Sequence, residues 1–226
     1  MLRQLDEGLW VIDHAFSMLG GIQIGTRTTL IRLSGGEIFA HGLGPIEEGD
    51  HAEIAALGNV TQLVAPNLFH NAYVKDWVAR YEGAICHAPV RFDTKLKDLD
   101  FVPLSSDAPA AWSADLEQVA VEGAPQLDEV VFYHSRTRTL LLTDLCFNMR
   151  HSDSFLTRLF MRMMGGYGHF GPSRLARSLM KDKAAVRRGI ERILEWDFDR
   201  VTVTHGEVLE SGGNAAFRKA YAWLLE

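Results

Sequence analysis

Three polar residues stand at the ends of apolar runs, where side chains do chemistry. Leu140-Leu141-Leu142-Thr143 ends in Asp144, and Val201-Thr202-Val203-Thr204 ends in His205. Gln62-Leu63-Val64-Ala65 breaks at Pro66 into a loop that carries His70. Propensity alone does not place a carboxylate at the end of a run that reads as buried on both faces. Strand ends and the loops that leave them are the usual place for sites in α/β sheets. That shared position predicts that the three side chains converge, although 74 and 61 residues separate them in sequence. Two imidazoles and one carboxylate suit a single metal ion with open positions, zinc or iron first. Such an ion lowers the pKa of a bound water toward about 7 and makes a hydrolytic nucleophile. The same groups can instead satisfy one another by hydrogen bonds, metal-free and without a catalytic role.

The elements that must position them follow from apolar patterning. Residues 129–134 and the Leu140 run read as a hairpin about Ser135-Arg136-Thr137-Arg138, and this hairpin carries Asp144. Residues 9–12, 28–33 and 37–41 read as an antiparallel meander, with turns at Gly20-Gly21, Gly25 and Ser34-Gly35-Gly36. A short helix is predicted over 47–57 and a second from about 71 to 81, after the His70 loop. Residues 84–88 and 116–121 read as strands, and 89–109 as turn-rich and least structured. A helix over 154–164 carries Phe155, Leu156, Leu159, Phe160, Met163 and Met164 on one side and breaks at Gly165-Gly166-Tyr167-Gly168. Pro172 opens a further helix or pair before the strand at 200–204, and 215–225 is a closing helix.

With 226 residues and 47% hydrophobic content, the chain suits one domain with one substantial core. A net charge of −6 argues against a nucleic-acid binder. Charge is unevenly spread: residues 150–192 hold ten Arg or Lys against three Asp or Glu, leaving about −13 for the rest. Cys86 and Cys146 lie far apart in apolar contexts and read as buried free thiols, which suits a reducing cytoplasm. The charged start of the chain lacks the apolar core of a signal peptide, and no window is apolar enough for a membrane span.

The hairpin strand ending in Thr143-Asp144, followed by a strand ending in His205-Gly206, resembles the second half of the metallo-β-lactamase-like fold. Ala65-Pro66-Asn67-Leu68-Phe69-His70, Asp144-Leu145-Cys146-Phe147-Asn148 and His205 together resemble a bacterial family of unknown function within that superfamily. The resemblance covers nearly the whole chain; each motif is short, and only the ensemble is specific. It implies an α/β (α+β) protein, a four-layer αββα sandwich in a single domain over 1–226, with a basic helical insertion at about 150–192. It implies that Asp144, His70 and His205 are both metal ligands and catalytic residues, with one Zn or Fe ion or none. The superfamily's His-x-His-x-Asp-His motif retains one histidine here: Ala65 and Asn67 stand where the first two would be, and Phe69 replaces the aspartate. A further His ligand expected near 122–125 is absent, and Ala40-His41-Gly42 occupies the place of an Asp-x-Gly turn. The centre is therefore expected to be at most mononuclear.

Asn67 and Asn148 are, by the same analogy, supporting amides or substrate hydrogen-bonders. His41 and His151 are candidates to face the cleft, with His169 a weaker one; His87 and His134 read as core-satisfied or exposed. In the basic segment, Arg158, Arg162, Arg174 and Arg177 interleave with Phe, Met and Leu. They form a cationic lid over a small anionic ligand, an interfacial helix that touches lipid, or a solvated face. Gly165, Gly166 and Gly168 would be the hinge of such a lid. Two functions follow. One is a hydrolase of an anionic ester, thioester or phosphoester; the other is a non-catalytic binding protein that kept the fold and lost the metals. Copurifying metal separates them.

Overall fold

Two β-sheets lie face to face in the computed structural model, which describes residues 1–18 and 20–226. The large sheet is built from β1 (Leu2–Asp6), β2 (Leu9–His14), β5 (Thr26–Arg32), β6 (Ile38–His41), β7 (Val60–Val64), β8 (Ile85–Pro89) and β9 (Val102–Leu104), in that spatial order. Between β2 and β5 the chain makes a small two-stranded hairpin, β3 (Ser17–Met18) with β4 (Ile22–Gln23). The second sheet runs β10 (Leu116–Ala120), β11 (Val130–His134), β12 (Thr139–Leu142) and β13 (Arg200–Val203). Helices α1 (Glu48–Leu57) and α2 (Val74–Arg80) follow strands of the large sheet. Helices α3 (Phe155–Met163), α4 (Arg174–Leu179) and α5 (Lys183–Ile193) connect β12 to β13, and α6 (Gly213–Ala220) and α7 (Ala222–Leu225) close the chain.

The period-2 alternation of a strand decides which layer each side chain joins. Phe39 and Ile31 of the large sheet meet Phe132 and Leu141 of the small one, with Trp112 between them. Ile38, Ala40 and Leu30 point the other way, onto Ile54 of α1 and Trp77 of α2. Val131, Leu140 and Leu142 turn outward onto Val186 and Ile190 of α5 and Phe217 of α6. The result is the four-layer αββα order expected from the sequence. Arg27 ties the sheets together from within. Its guanidinium donates to Asp13 Oδ1 and to the carbonyl of Val203, each at 2.6 Å, and is buried.

Local boundaries differ from expectation where tertiary pairing overrides sequence pattern. The first strand, β1, has no apolar face to announce it, because it is an edge strand with only Leu2 and Leu5 partly covered. The stretch at 89–109 yields the short edge strand β9, whose middle residue is Pro103. The closing helix is two pieces, interrupted at Tyr221. The helix α3 begins where its cap dictates, with Ser154 Oγ accepting the N–H of Thr157.

Strands β12 and β13 pair in parallel, with Leu142 opposite Val203. Asp144 and His205 each follow two residues later, so they leave the sheet in the same row. Strand β7 ends beside His41, and the loop beyond it brings His70 in from the other sheet.

Candidate metal centre

The three side chains meet. One nitrogen of His70, one carboxylate oxygen of Asp144 and one nitrogen of His205 all lie within 4.8 Å of one another. His70 Nε2 is 3.2 Å from Asp144 Oδ2, and His205 Nε2 is 3.6 Å from Asp144 Oδ1. The imidazoles lie with centroids 5.4 Å apart, and the ring of Phe147 stacks on His205 at 5.2 Å and 15°.

The orientation of His205 tests whether a cation fits. Its Nδ1 lies 2.7 Å from the carbonyl oxygen of Gly25, an acceptor only, so Nδ1 carries the proton and Nε2 presents a lone pair. That lone pair faces Asp144 Oδ1, a second acceptor, across 3.6 Å. Two acceptors face one another favourably only around a proton or a cation. Burial holds the His205 pKa down to about 4, with the Asp144 charge opposing it, so the proton is absent near neutrality. A cation fits the donor set. The partner of Nδ1 is also of the kind that orients metal-binding histidines.

Beneath the donors lies a buried polar frame. Asn67 Nδ2 donates to Asp144 Oδ2 at 2.7 Å, Thr143 Oγ1 at 2.9 Å and Glu129 Oε2 at 3.1 Å. Asn67 Oδ1 accepts the backbone N–H groups of Phe69 and His70, at 2.9 and 3.0 Å, and so shapes the loop that presents His70. Glu129 accepts the N–H groups of Thr143, Asp144 and Leu145 at 2.8 to 3.0 Å, which turns the chain sharply after β12. Burial and then the Asp144 charge raise the Glu129 pKa, against the pull of these hydrogen bonds. For Asp144, burial is the largest influence and acts upward. His70, His205 and Asn67 together outweigh it and hold the carboxyl at about 2. His70 moves the opposite way: burial lowers its pKa, but the Asp144 charge and hydrogen bond leave it raised overall.

No family model and no curated protein matches the sequence. Solved structures do match in three dimensions. The metallo-β-lactamase DIM-1 superposes with a TM-score of 0.66 over 99% of this chain and 95% of its own, at 14% identity. A metallo-β-lactamase from Pontibacter korlensis gives 0.66 over 99% and 98%, at 12% identity. A putative diflavin flavoprotein fragment from Nostoc sp. PCC 7120 gives 0.69 over 100% and 96%, also at 12% identity. This is the metallo-β-lactamase fold.

Within the metallo-β-lactamase fold, the donors form the floor of a cavity of about 370 Å³. Its walls are apolar: Phe16 and Ile24 from the hairpin region, Phe69 and Tyr73 beyond β7, and Phe160 and Met161 of α3 are among them. Thr26 and Ser173 add hydroxyls. Among the described residues, no lysine or arginine lines it.

The remaining sequence candidates lie around this cavity rather than in it. Asn148 is buried and holds the loop after His205, donating to the Glu207 carbonyl at 2.9 Å and accepting from Arg150. His41 is buried, edge-on to Phe132, with Nε2 unpartnered, and burial pushes its pKa down to about 3. His151 is exposed, with Glu207 at 4.0 Å. His169 is exposed against the Tyr167 carbonyl.

The four arginines correct the cationic-lid expectation. Arg158 donates to the carbonyls of Ser152 and Asp153, and Arg174 to that of Met163. Arg162 lies over the ring of Tyr167 and Arg177 over that of Trp223. The segment does border the cavity, but it does so through Phe160, Met161 and Met164, and none of the four arginines lines it.

Sequence reasoning missed Glu129, the Gly25 carbonyl and the stacking of Phe147. The one available signal was an acid directly preceding Val130-Val131-Phe132, where a buried run tolerates a charge only with partners.

Proposed function

We propose that His70, Asp144 and His205 hold one metal ion, zinc or iron, and that the protein hydrolyses an ester or thioester with an apolar acyl part. The observation that carries this reading is the bare Nε2 of His205 facing the Asp144 carboxylate at the bottom of an apolar cavity. An ion held by these three residues would make water a competent nucleophile near neutral pH. The chain's own residues supply the rest. Asp144 stays ionised, the Gly25 carbonyl fixes the His205 tautomer, and Glu129 with Asn67 holds both loops in place. Phe16, Phe69 and Phe160 exclude water and take the acyl group by burial. Among the described residues no lysine or arginine lines the cavity, which favours an acyl over an anionic substrate.

Metal analysis of protein purified without chelator should find about one equivalent, as a three-donor mononuclear site requires. His205→Ala and Asp144→Ala should each weaken metal affinity beyond the roughly 10–100-fold that loss of a hydrogen-bonded neighbour costs. Hydrolysis of p-nitrophenyl esters should rise with acyl length in the parent and vanish in both variants. Two equivalents in the parent would refute the mononuclear reading. No metal, together with no thermal shift on adding zinc or iron, would refute the centre itself.

A second reading is a metal-free ligand-binding protein, favoured by the 3.2 Å contact in which His70 Nε2–H satisfies Asp144 unaided. Binding of an apolar ester without turnover, in protein without metal, would establish it.

A further inference from the structure

Helix α3 carries a row of large apolar side chains that stand largely open to solvent. Phe155, Leu156 and Met163 are 65, 56 and 57% exposed, and Leu159 is nearly as open. At 3.6 residues per turn these four positions form one stripe about 100° wide. The adjoining side of the same helix presents Phe160 and Met161 to the cavity, while Thr157 Oγ1 accepts the Gln23 N–H of the β3–β4 hairpin. The stripe is thus continuous with the cavity wall. Met18, Phe69 and Leu175 extend it, since each lines the cavity and each is also more than 40% exposed.

The charge of this segment is predominantly positive. Residues 150–177 hold five arginines and one aspartate, a net of +4 in a chain of net −6. Arg158 and Arg162 stand on α3 beside the stripe, and Arg150, Arg162, Arg174 and Arg177 are exposed. Their alkyl stems can lie along apolar surface while the guanidinium groups stay wet.

We propose that this face docks on a lipid surface with anionic headgroups, with α3 in the interface and the cavity opening toward the acyl chains. The stripe would enter the acyl boundary, and the flanking arginines would remain among the headgroups. No helix of the described residues is long and apolar enough to cross a membrane, so the contact is with the surface alone. A second copy is a poorer occupant, because a two-fold interface would set the same +4 patch against itself. The proposal goes beyond the hydrolase reading and does not need the metal.

Sedimentation of the full chain with vesicles tests it. The parent should pellet with vesicles of phosphatidylcholine mixed with phosphatidylglycerol, far less with phosphatidylcholine alone, and less as salt is raised. The triple variant Phe155→Ser, Leu159→Ser, Met163→Ser changes only exposed positions, so its circular dichroism should match the parent's. Its vesicle partitioning should fall by about tenfold or more. Arg158→Gln and Arg162→Gln should each cost about fivefold. Asp144→Ala should bind vesicles as the parent does while losing metal, so failure of the hydrolase reading is distinguishable from failure of this one. A parent that ignores the mixed vesicles overturns the proposal, as does a folded serine variant that binds them equally well. A parent dimer that the serine substitutions dissolve would assign the face to a second copy instead.

Discussion

Glu129→Ala is expected to destabilise the protein by about 3–5 kcal/mol, the cost of removing one partner from a buried charged network. Glu129 is buried and is the acceptor for three consecutive backbone N–H groups and for the Asn67 amide. Removing it leaves the three backbone N–H groups buried without an acceptor, while Asn67 keeps Asp144 and Thr143, and each unmade hydrogen bond there costs about 1–3 kcal/mol. Against a typical total stability of about 5–15 kcal/mol, the loss shows directly as a lower urea midpoint. Glu129→Gln keeps one acceptor oxygen but points an NH₂ group at the other donors, so it should fall between the parent and the alanine variant. Both should lose metal affinity, because the turn that aims Asp144 loosens. A change below about 1 kcal/mol in the alanine variant would mean that water replaces the carboxylate, and that the frame is not what holds the turn.

The second large effect is a loss of stability in mild acid. His87 donates from Nε2 to Gln62 Oε1 at 2.8 Å, and its Nδ1 is buried without a partner. His134 Nδ1 lies 2.7 Å from Thr137 Oγ1, whose own proton goes to Thr139, so its buried and unpartnered Nε2 is a bare lone pair. Burial pushes both pKa values down to about 4. In the unfolded chain both return to about 6.5, so between these values the unfolded state binds more protons and stability falls with pH. From about pH 7.5 to about pH 5 these two remove roughly 4 kcal/mol, and His41 and His205, whose pKa values burial also holds down, add to the loss in the same direction. His70 acts oppositely, since its raised pKa contributes stability that is fully present below about 6.5. Asp144, at about 2, is still ionised throughout this window and contributes no slope. Urea midpoints at the two pH values, with chelator present, should differ accordingly, and His134→Gln should flatten the dependence. A midpoint that does not change with pH would show that both imidazoles find acceptors on protonation.

The donors were legible in sequence because each interrupts a pattern. A run such as Leu140 to Leu142 is buried on both sides, and an ionisable residue directly beyond it has to be placed by something. The sheet order was harder to read. Strand β1 pairs only on one edge and has just two apolar residues, Leu2 and Leu5, three positions apart and so out of the period-2 pattern, which leaves its signal weak. Glu129 stood in plain view as the first residue of a predicted strand, but its role depends on N–H groups at 143–145, a contact no local pattern encodes. The arginines misled for a related reason. Composition shows that 150–192 is basic, but only the rotation of α3 decides whether Phe160 and Met161 or Arg158 and Arg162 meet the cavity. The hairpin of β3 and β4 was seen only as glycine-rich turns, although Phe16 and Ile24 beside it wall the cavity and Gly25 holds His205.

The parallel pairing of β12 with β13 governs when the three donors can exist together. A parallel partner is reached only through a crossover, and here that crossover contains α3, α4 and α5. A nascent chain emerges at about 5–20 residues per second, and its large sheet with α1 and α2 is complete long before residue 200 leaves the ribosome. Until then Asp144 projects from a sheet edge with His70 opposite and no third donor. The site cannot template its own scaffold, because its three side chains meet only after synthesis has passed the last strand.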